Sequence, residues 1–210
     1  MDRRNFTLGL ALAPFSAGLV NAADGPVAGV DYEVLQKQIP VAVAGKLEVI
    51  EFFAYWCPHC NVFEPKLEPW VKSLPADTMF RRIPVAWQDV HVTYQKLYFA
   101  LDLMGLKGDI HPKVFKAFHE QNVRLEKADG LAALATAIGI DKTKLNDSMN
   151  SFTIANKIAV ANQQAKTYQV EGVPTLIVNG KFTTSPGMAK SEEKALKVVD
   201  ALLQQSRTKK

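Results

Sequence analysis

The chain has 210 residues, of which 48% are hydrophobic and 22% charged, enough apolar material for one domain, or one domain with an insertion, to build a sizeable core. Its formal net charge of +4 is spread along the chain, and the absence of a basic stripe interleaved with aromatics speaks against nucleic-acid binding. Cys57 and Cys60 are the whole thiol inventory, so whatever chemistry they do involves no spare sulfur.

The predicted elements run as follows. Arg3 and Arg4 precede an apolar stretch from Phe6 to Val20 that is broken by Pro14 and Gly18, and Val20-Asn21-Ala22 offers small-residue cleavage spacing. This predicts an export signal over residues 1–22, because the apolar run falls short of the ~20 residues that span a bilayer. An uncleaved anchor is the alternative, and Arg3-Arg4-Asn5-Phe6 also fits a twin-arginine signal in place of general secretion. Ala23 to Gly29 is rich in small residues and is predicted to be disordered. A short edge strand is expected from Tyr32 to Leu35.

The apolar stretch from Leu47 to Ala54 reads as a buried central strand, and Asn61 to Ser73 as the helix after it. Cys57-Pro58-His59-Cys60 therefore sits where a helix begins. The first helical turn leaves N–H groups unpaired at the positive end of the macrodipole, which favours a thiolate over a thiol. Cys57 should be acidic and a good leaving group. Pro58 suits the first helical position, and His59 adds a donor and, when protonated, a positive charge. Each pKa unit by which the thiolate is stabilised below ambient pH favours the reduced form by about 1.4 kcal/mol, or ~30 mV. A zinc site would need two more ligands, and His91, His111 and His119 show no metal-ligand spacing, so they are read as surface or packing residues. A structural disulfide would close too short a loop to restrict the unfolded chain much.

Pro65 and Pro69 predict a kink or break in the helix after the cysteines. A third strand is expected from Met79 to Val85, then helices Val92 to Met104, Pro112 to Gln121, Gly130 to Ile138, Lys142 to Asn150 and Phe152 to Tyr168, with Gly105, Gly108 and Gly139 as breaks. Thr175 to Val178 and Lys181 to Thr184 flank Asn179-Gly180, a dipeptide that favours a type I′ hairpin turn. An amphipathic helix from Lys190 to Gln204 follows, and Arg207-Thr208-Lys209-Lys210 reads as a frayed, solvated end. Each strand set looks too small to close a core alone. The order therefore predicts one α/β domain from residues 23–87 and 152–210, with residues 88–151 inserted as a helical subdomain.

Two further residues draw attention. Glu51 lies inside an otherwise apolar strand, where its charge is costly unless partnered or titrating; a solvent-facing strand end is the alternative. Tyr55, Trp56 and Phe63 either surround the cysteines with apolar binding surface or simply pack. Glu51-Phe52-Phe53-Ala54-Tyr55-Trp56-Cys57-Pro58-His59-Cys60, Gly172-Val173-Pro174-Thr175 and Val178-Asn179-Gly180-Lys181 together resemble the DsbA family of periplasmic thiol:disulfide oxidoreductases, over essentially the whole chain after the export signal. The resemblance implies a thioredoxin fold with an all-helical insertion, a periplasmic location and a redox-active Cys57-Cys60 disulfide in place of any organic cofactor. It implies a Pro174 that is cis and faces the dithiol, so that Val173 and Pro174 contact substrate. Without it, Pro174 reads as a trans proline that stops the preceding helix. It also implies a Glu51 that lies beneath Cys60, the buried resolving thiol, and assists its proton transfers. The partners implied are reduced, newly exported proteins and a quinone-linked inner-membrane oxidase of the DsbB type. A reductase or isomerase on the same fold and a non-catalytic binding module are the rival readings. A monomer is expected, since no segment for a dimerisation domain is visible.

Overall fold

The computed structural model describes residues 25–208, so the export signal predicted over residues 1–22 lies outside the described residues. The chain enters the sheet at a two-residue edge strand, β1 (Glu33–Val34). The turn before it is ordered from Gly25 on, contrary to expectation, residues 23 and 24 lying outside the described residues: the Val27 N–H donates to the Asp31 carboxylate, the Asp31 N–H donates to the Val27 carbonyl, and Lys194 holds the same carboxylate. A buried acid with two partners fixes a segment whose composition alone suggested disorder.

β2 (Leu47–Phe53) is buried at all seven positions, as a strand covered on both faces must be. It pairs in parallel with β3 (Thr78–Pro84), and α1 (Pro58–Ser73) makes the crossover between them. Neither Pro65 nor Pro69 breaks α1. Both stand on its exposed side, four residues apart, so the carbonyls they leave without helical donors face solvent, while Cys60, Phe63, Glu64 and Leu67 carry the buried stripe.

A helical run follows: α2 (Asp89–Leu103), α3 (Lys107–His119), α4 (Gly130–Ile138), α5 (Lys142–Met149) and α6 (Phe152–Thr167). Gly105 and Gly139, both with left-handed φ, end α2 and α4 as expected. Gly108 does not break the chain, because α3 starts at Lys107 and takes Pro112 into its exposed side rather than at its first position. β4 (Thr175–Val178) and β5 (Phe182–Thr184) then close the hairpin around Asn179 and Gly180, whose φ values of 51° and 61° are those a type I′ turn needs. A side chain on Gly180 would strike the Ile39 carbonyl. α7 (Pro186–Ala189) was not expected, although Ser185, which caps it by accepting from the Met188 N–H at 3.1 Å, and Pro186 at its first position carry a readable start signal. α8 (Glu192–Thr208) runs a turn beyond the predicted end. Its Arg207 is not frayed: it grips Asp77 at 2.8 and 2.9 Å.

The sheet order is β1-β5-β4-β2-β3, with β4 antiparallel to β2. Leu47 and Val49 pack with Phe63 and Leu67 of α1 and with α8, whereas Ile50 and Phe52 face the core shared with the helical run. This is the α/β thioredoxin arrangement with an inserted helical block. By strand alternation Glu51 shares the α1 face, directly in the layer that holds Cys60.

Candidate active site

The end of β2 places the dithiol. The Cys57 N–H bonds the Ala54 carbonyl at 3.1 Å, turning the chain so that Cys57 becomes the N-cap of α1, with extended backbone (φ −84°, ψ 119°) and Pro58 at the first helical position. Both cysteines are free thiols and both are enclosed: Cys57 is 4% exposed and Cys60 fully buried. A hydrogen bond from the Cys60 side chain does most to hold the Cys57 thiol down, to about 6. Burial opposes it, the backbone N–H groups of Cys60 and His59 assist, and the His59 ring adds a smaller Coulomb effect. Burial first, then the bond to Cys57 and the charge of Glu51, push the Cys60 thiol far up. Two thiols three residues apart in one turn thus have opposite acid–base character.

Facing Cys57 is the loop before β4. The Val173–Pro174 bond is cis, and the Val173 carbonyl lies 3.3 Å from Cys57 Sγ, within reach of the thiol proton when it is present. From this point a groove of about 430 Å³ leads away, lined by His59, Tyr168, Val173, Pro174 and Met188, with Glu33, Glu171 and Glu192 among its acidic groups. Pro58 and His59 are exposed at its head. Of the three aromatics near the cysteines, Tyr55 and Phe63 are core residues, and Trp56 alone is partly exposed, stacked on His91 with centroids 4.1 Å apart.

Beneath the dithiol lies a charge cluster. Glu51 is 1% exposed, so the solvent-facing alternative fails. Its carboxylate accepts from Arg82 Nε at 3.0 Å, while Arg82 Nη2 reaches Glu64 at 2.9 Å and Glu68 at 3.0 Å. Burial raises the Glu51 carboxyl to about 8, with Arg82 opposing and the charge of Glu64 adding to the rise. Burial works against the Arg82 charge, but Glu51, Glu64 and Glu68 outweigh it and hold the guanidinium protonated. Glu48, three residues earlier and so on the opposite face of β2, is likewise buried against an arginine, Arg81, at 2.8 Å.

Arg82 and Glu64 were not singled out from sequence. Glu64 was findable, since it occupies the i+4 position from Cys60 in the apolar stripe of α1; Arg82 was signalled by charge inside a strand-like run. The three histidines are packing residues as expected, and all gather at Tyr55 and Trp56: His111 Nδ1 lies 2.8 Å from Tyr55 Oη, and His119 Nε2 2.8 Å from the Tyr55 carbonyl. Among the described residues, no group of His, Cys, Asp or Glu side chains is placed to hold a metal ion.

A parallel β2–α1–β3 unit with an N-cap cysteine, a second cysteine in the first turn and a cis-proline loop opposite defines a thioredoxin-fold dithiol oxidoreductase. The profile of the thioredoxin family matches residues 32–96, and that of the DSBA-like thioredoxin domain matches residues 74–197. The chain is 38% identical over 205 residues to the thiol:disulfide interchange protein DsbA of Pseudomonas aeruginosa, covering 97% of each, and 39% identical over 206 residues to that of Burkholderia cepacia, covering 97% of this chain and 95% of the relative. It superimposes on the crystal structure of Pseudomonas aeruginosa DsbA with a TM-score of 0.82 over 87% of this chain and 95% of that one. On NmDsbA1 of Neisseria meningitidis, at 30% identity, the TM-score is 0.78 over 89% of this chain and 97% of that one. The chain belongs to the DsbA family of thiol:disulfide oxidoreductases.

Proposed function

We propose that this protein is an exported, monomeric oxidase that donates its Cys57–Cys60 disulfide to reduced, newly exported proteins in the periplasm. The single observation that carries this direction of electron flow is the acid–base contrast between the two thiols. Cys57, held down to about 6, leaves readily as a thiolate and so favours the reduced form.

In the cycle, a substrate thiolate attacks Cys57 Sγ of the disulfide. The new substrate–Cys57 bond forms as the Cys57–Cys60 bond breaks, and the electron pair goes to Cys60. That sulfur binds its proton tightly, and Glu51, whose carboxyl is raised to about 8 by burial, is the acid we assign to supply it. A second substrate thiolate then attacks the substrate sulfur, forms the product disulfide and expels the Cys57 thiolate. Two electrons now reside in the dithiol, and a quinone-linked membrane oxidase of the DsbB type removes them.

We assign substrate contact to Val173 and Pro174, whose backbone faces Cys57, with the groove beyond accepting an extended chain. Main-chain pairing suits an enzyme that must accept many sequences. Pro58 fixes the start of α1 and His59 contributes its N–H to the Cys57 sulfur. The division into a thioredoxin-like domain (residues 23–87 and 152–210) and an inserted helical subdomain (88–151) belongs to the same reading. The test is oxidative refolding of a reduced protein under air-free conditions with stoichiometric oxidised enzyme. The native chain should deliver its disulfide, and Cys57→Ser should deliver none; equal yields would overturn the dithiol reading.

A further inference from the structure

We infer that His111 is a positioning residue for the thiol chemistry: its Nε2–H faces Glu64 and shields part of that carboxylate's charge from Glu51, while its Nδ1 fixes Tyr55 two residues before Cys57. This rests on the reading of Glu51 as the acid that serves Cys60.

The surroundings of the ring favour one tautomer. His111 comes from α3 and is 2% exposed. The Tyr55 hydroxyl is buried and needs an acceptor, which Nδ1 provides at 2.8 Å. Nε2 must then carry the hydrogen, and it stands 3.5 Å from Glu64 Oε2. A lone pair there would face a carboxylate oxygen, an arrangement a buried site does not sustain. At 3.5 Å the attraction is long for a hydrogen bond and acts mainly through charge and dipole. The other groups facing the ring are Glu68 of α1, Arg82 of β3 and Tyr98 of α2; burial keeps the imidazole neutral.

The consequence follows from Glu64's two neighbours. Arg82 is shared between Glu51 and Glu64, and the Glu64 charge favours the protonated form of Glu51. A donor that quenches part of the Glu64 charge leaves more of Arg82 for Glu51 and lets it release its proton at lower pH. The inserted helical run thereby tunes an acid that lies in the other part of the fold.

Two variants separate the halves of the ring. His111→Asn keeps an acceptor near the Nδ1 position but lacks the far donor, whereas His111→Gln reaches the Nε2 position with an amide N–H. The readout is the pH at which the Cys57–Cys60 potential changes slope because Glu51 titrates, with Glu51→Gln identifying that break by removing it. The break should rise by about half to one unit in His111→Asn and stay within about 0.2 units in His111→Gln. Equal shifts in both variants, or none in either, would overturn the inference. If the native enzyme lacks a break that Glu51→Gln removes, the Glu51 reading falls first and this one with it. The nitrogen-15 signals of His111 in the native protein provide a measurement independent of substitution. They should show a neutral ring protonated at Nε2 at pH 7; protonation at Nδ1 would overturn the inference.

Discussion

Glu51 and Arg82 are direct partners in the parallel register of β2 and β3, and their side chains meet at 3.0 Å on the face covered by α1. Arg82 is the one cation in contact with Glu51, Glu64 and Glu68 together among the described residues. Replacing it by Met keeps the length but removes the cation that Glu51, Glu64 and Glu68 share, although Glu68 keeps Lys72 at 3.5 Å. Arg82→Met should cost about 3–5 kcal/mol in urea denaturation at pH 7, and clearly more than Arg82→Lys, which keeps the charge. Equal losses in the two variants would mean that packing alone is at stake.

Glu51→Gln acts in the opposite sense. The folded carboxyl is raised from 4.5 to about 8, so the folded state holds a proton that the unfolded chain releases. Stability from such a group is complete below its unfolded value and is lost as pH rises through about 8. Gln cannot ionise and escapes that loss, while Arg82 keeps Glu64 and Glu68. The variant should equal the parent near pH 4 and exceed it by about 4 kcal/mol at pH 8. A constant difference across that range would show that Glu51 does not titrate as described.

Cys57 provides a second pH signature with the reverse sign. Its thiol is held down to about 6, so alkylation of the reduced enzyme should follow a midpoint near that pH and label Cys57 alone until the protein is unfolded. The stability linked to this thiolate is present above the unfolded thiol pKa and lost as pH falls through about 6. A midpoint near the ordinary thiol value, or labelling of Cys60 in the folded protein, would contradict the contrast between the two sulfurs.

Cys60→Ser removes the resolving thiol and leaves Cys57 able to form mixed disulfides that cannot collapse internally. With reduced, unfolded substrate and a mild oxidant, covalent adducts should accumulate several-fold over the native enzyme on non-reducing gels, and Cys57→Ser should form none. Adducts through Cys60 in the Cys57→Ser protein would reverse the assigned order of attack.

Much of this was legible in the sequence because it is local. Leu47 to Phe53 announces a buried strand, Asn179-Gly180 a hairpin, and an acid among Val49, Ile50, Phe52 and Phe53 a problem needing a partner. What was not legible is non-local or depends on which face a residue takes. Prolines mark helix boundaries only if their missing N–H would be buried, and Pro65, Pro69 and Pro112 all turn theirs toward solvent. The partner of Glu51 comes from strand register 31 residues away. The role of His111 requires α3 to be packed against α1, which no spacing reveals. Ser185-Pro186 was a capping signal present and unread.

The central claim is that this dithiol is an electron acceptor for its substrates. Its redox equilibrium with glutathione tests that most directly. The account predicts that the enzyme is mostly reduced in a buffer poised at about −200 mV, because the Cys57 thiolate stabilises the dithiol form. A disulfide that persists until the buffer approaches about −270 mV, the range of thioredoxin, would make it a reductant and contradict the account.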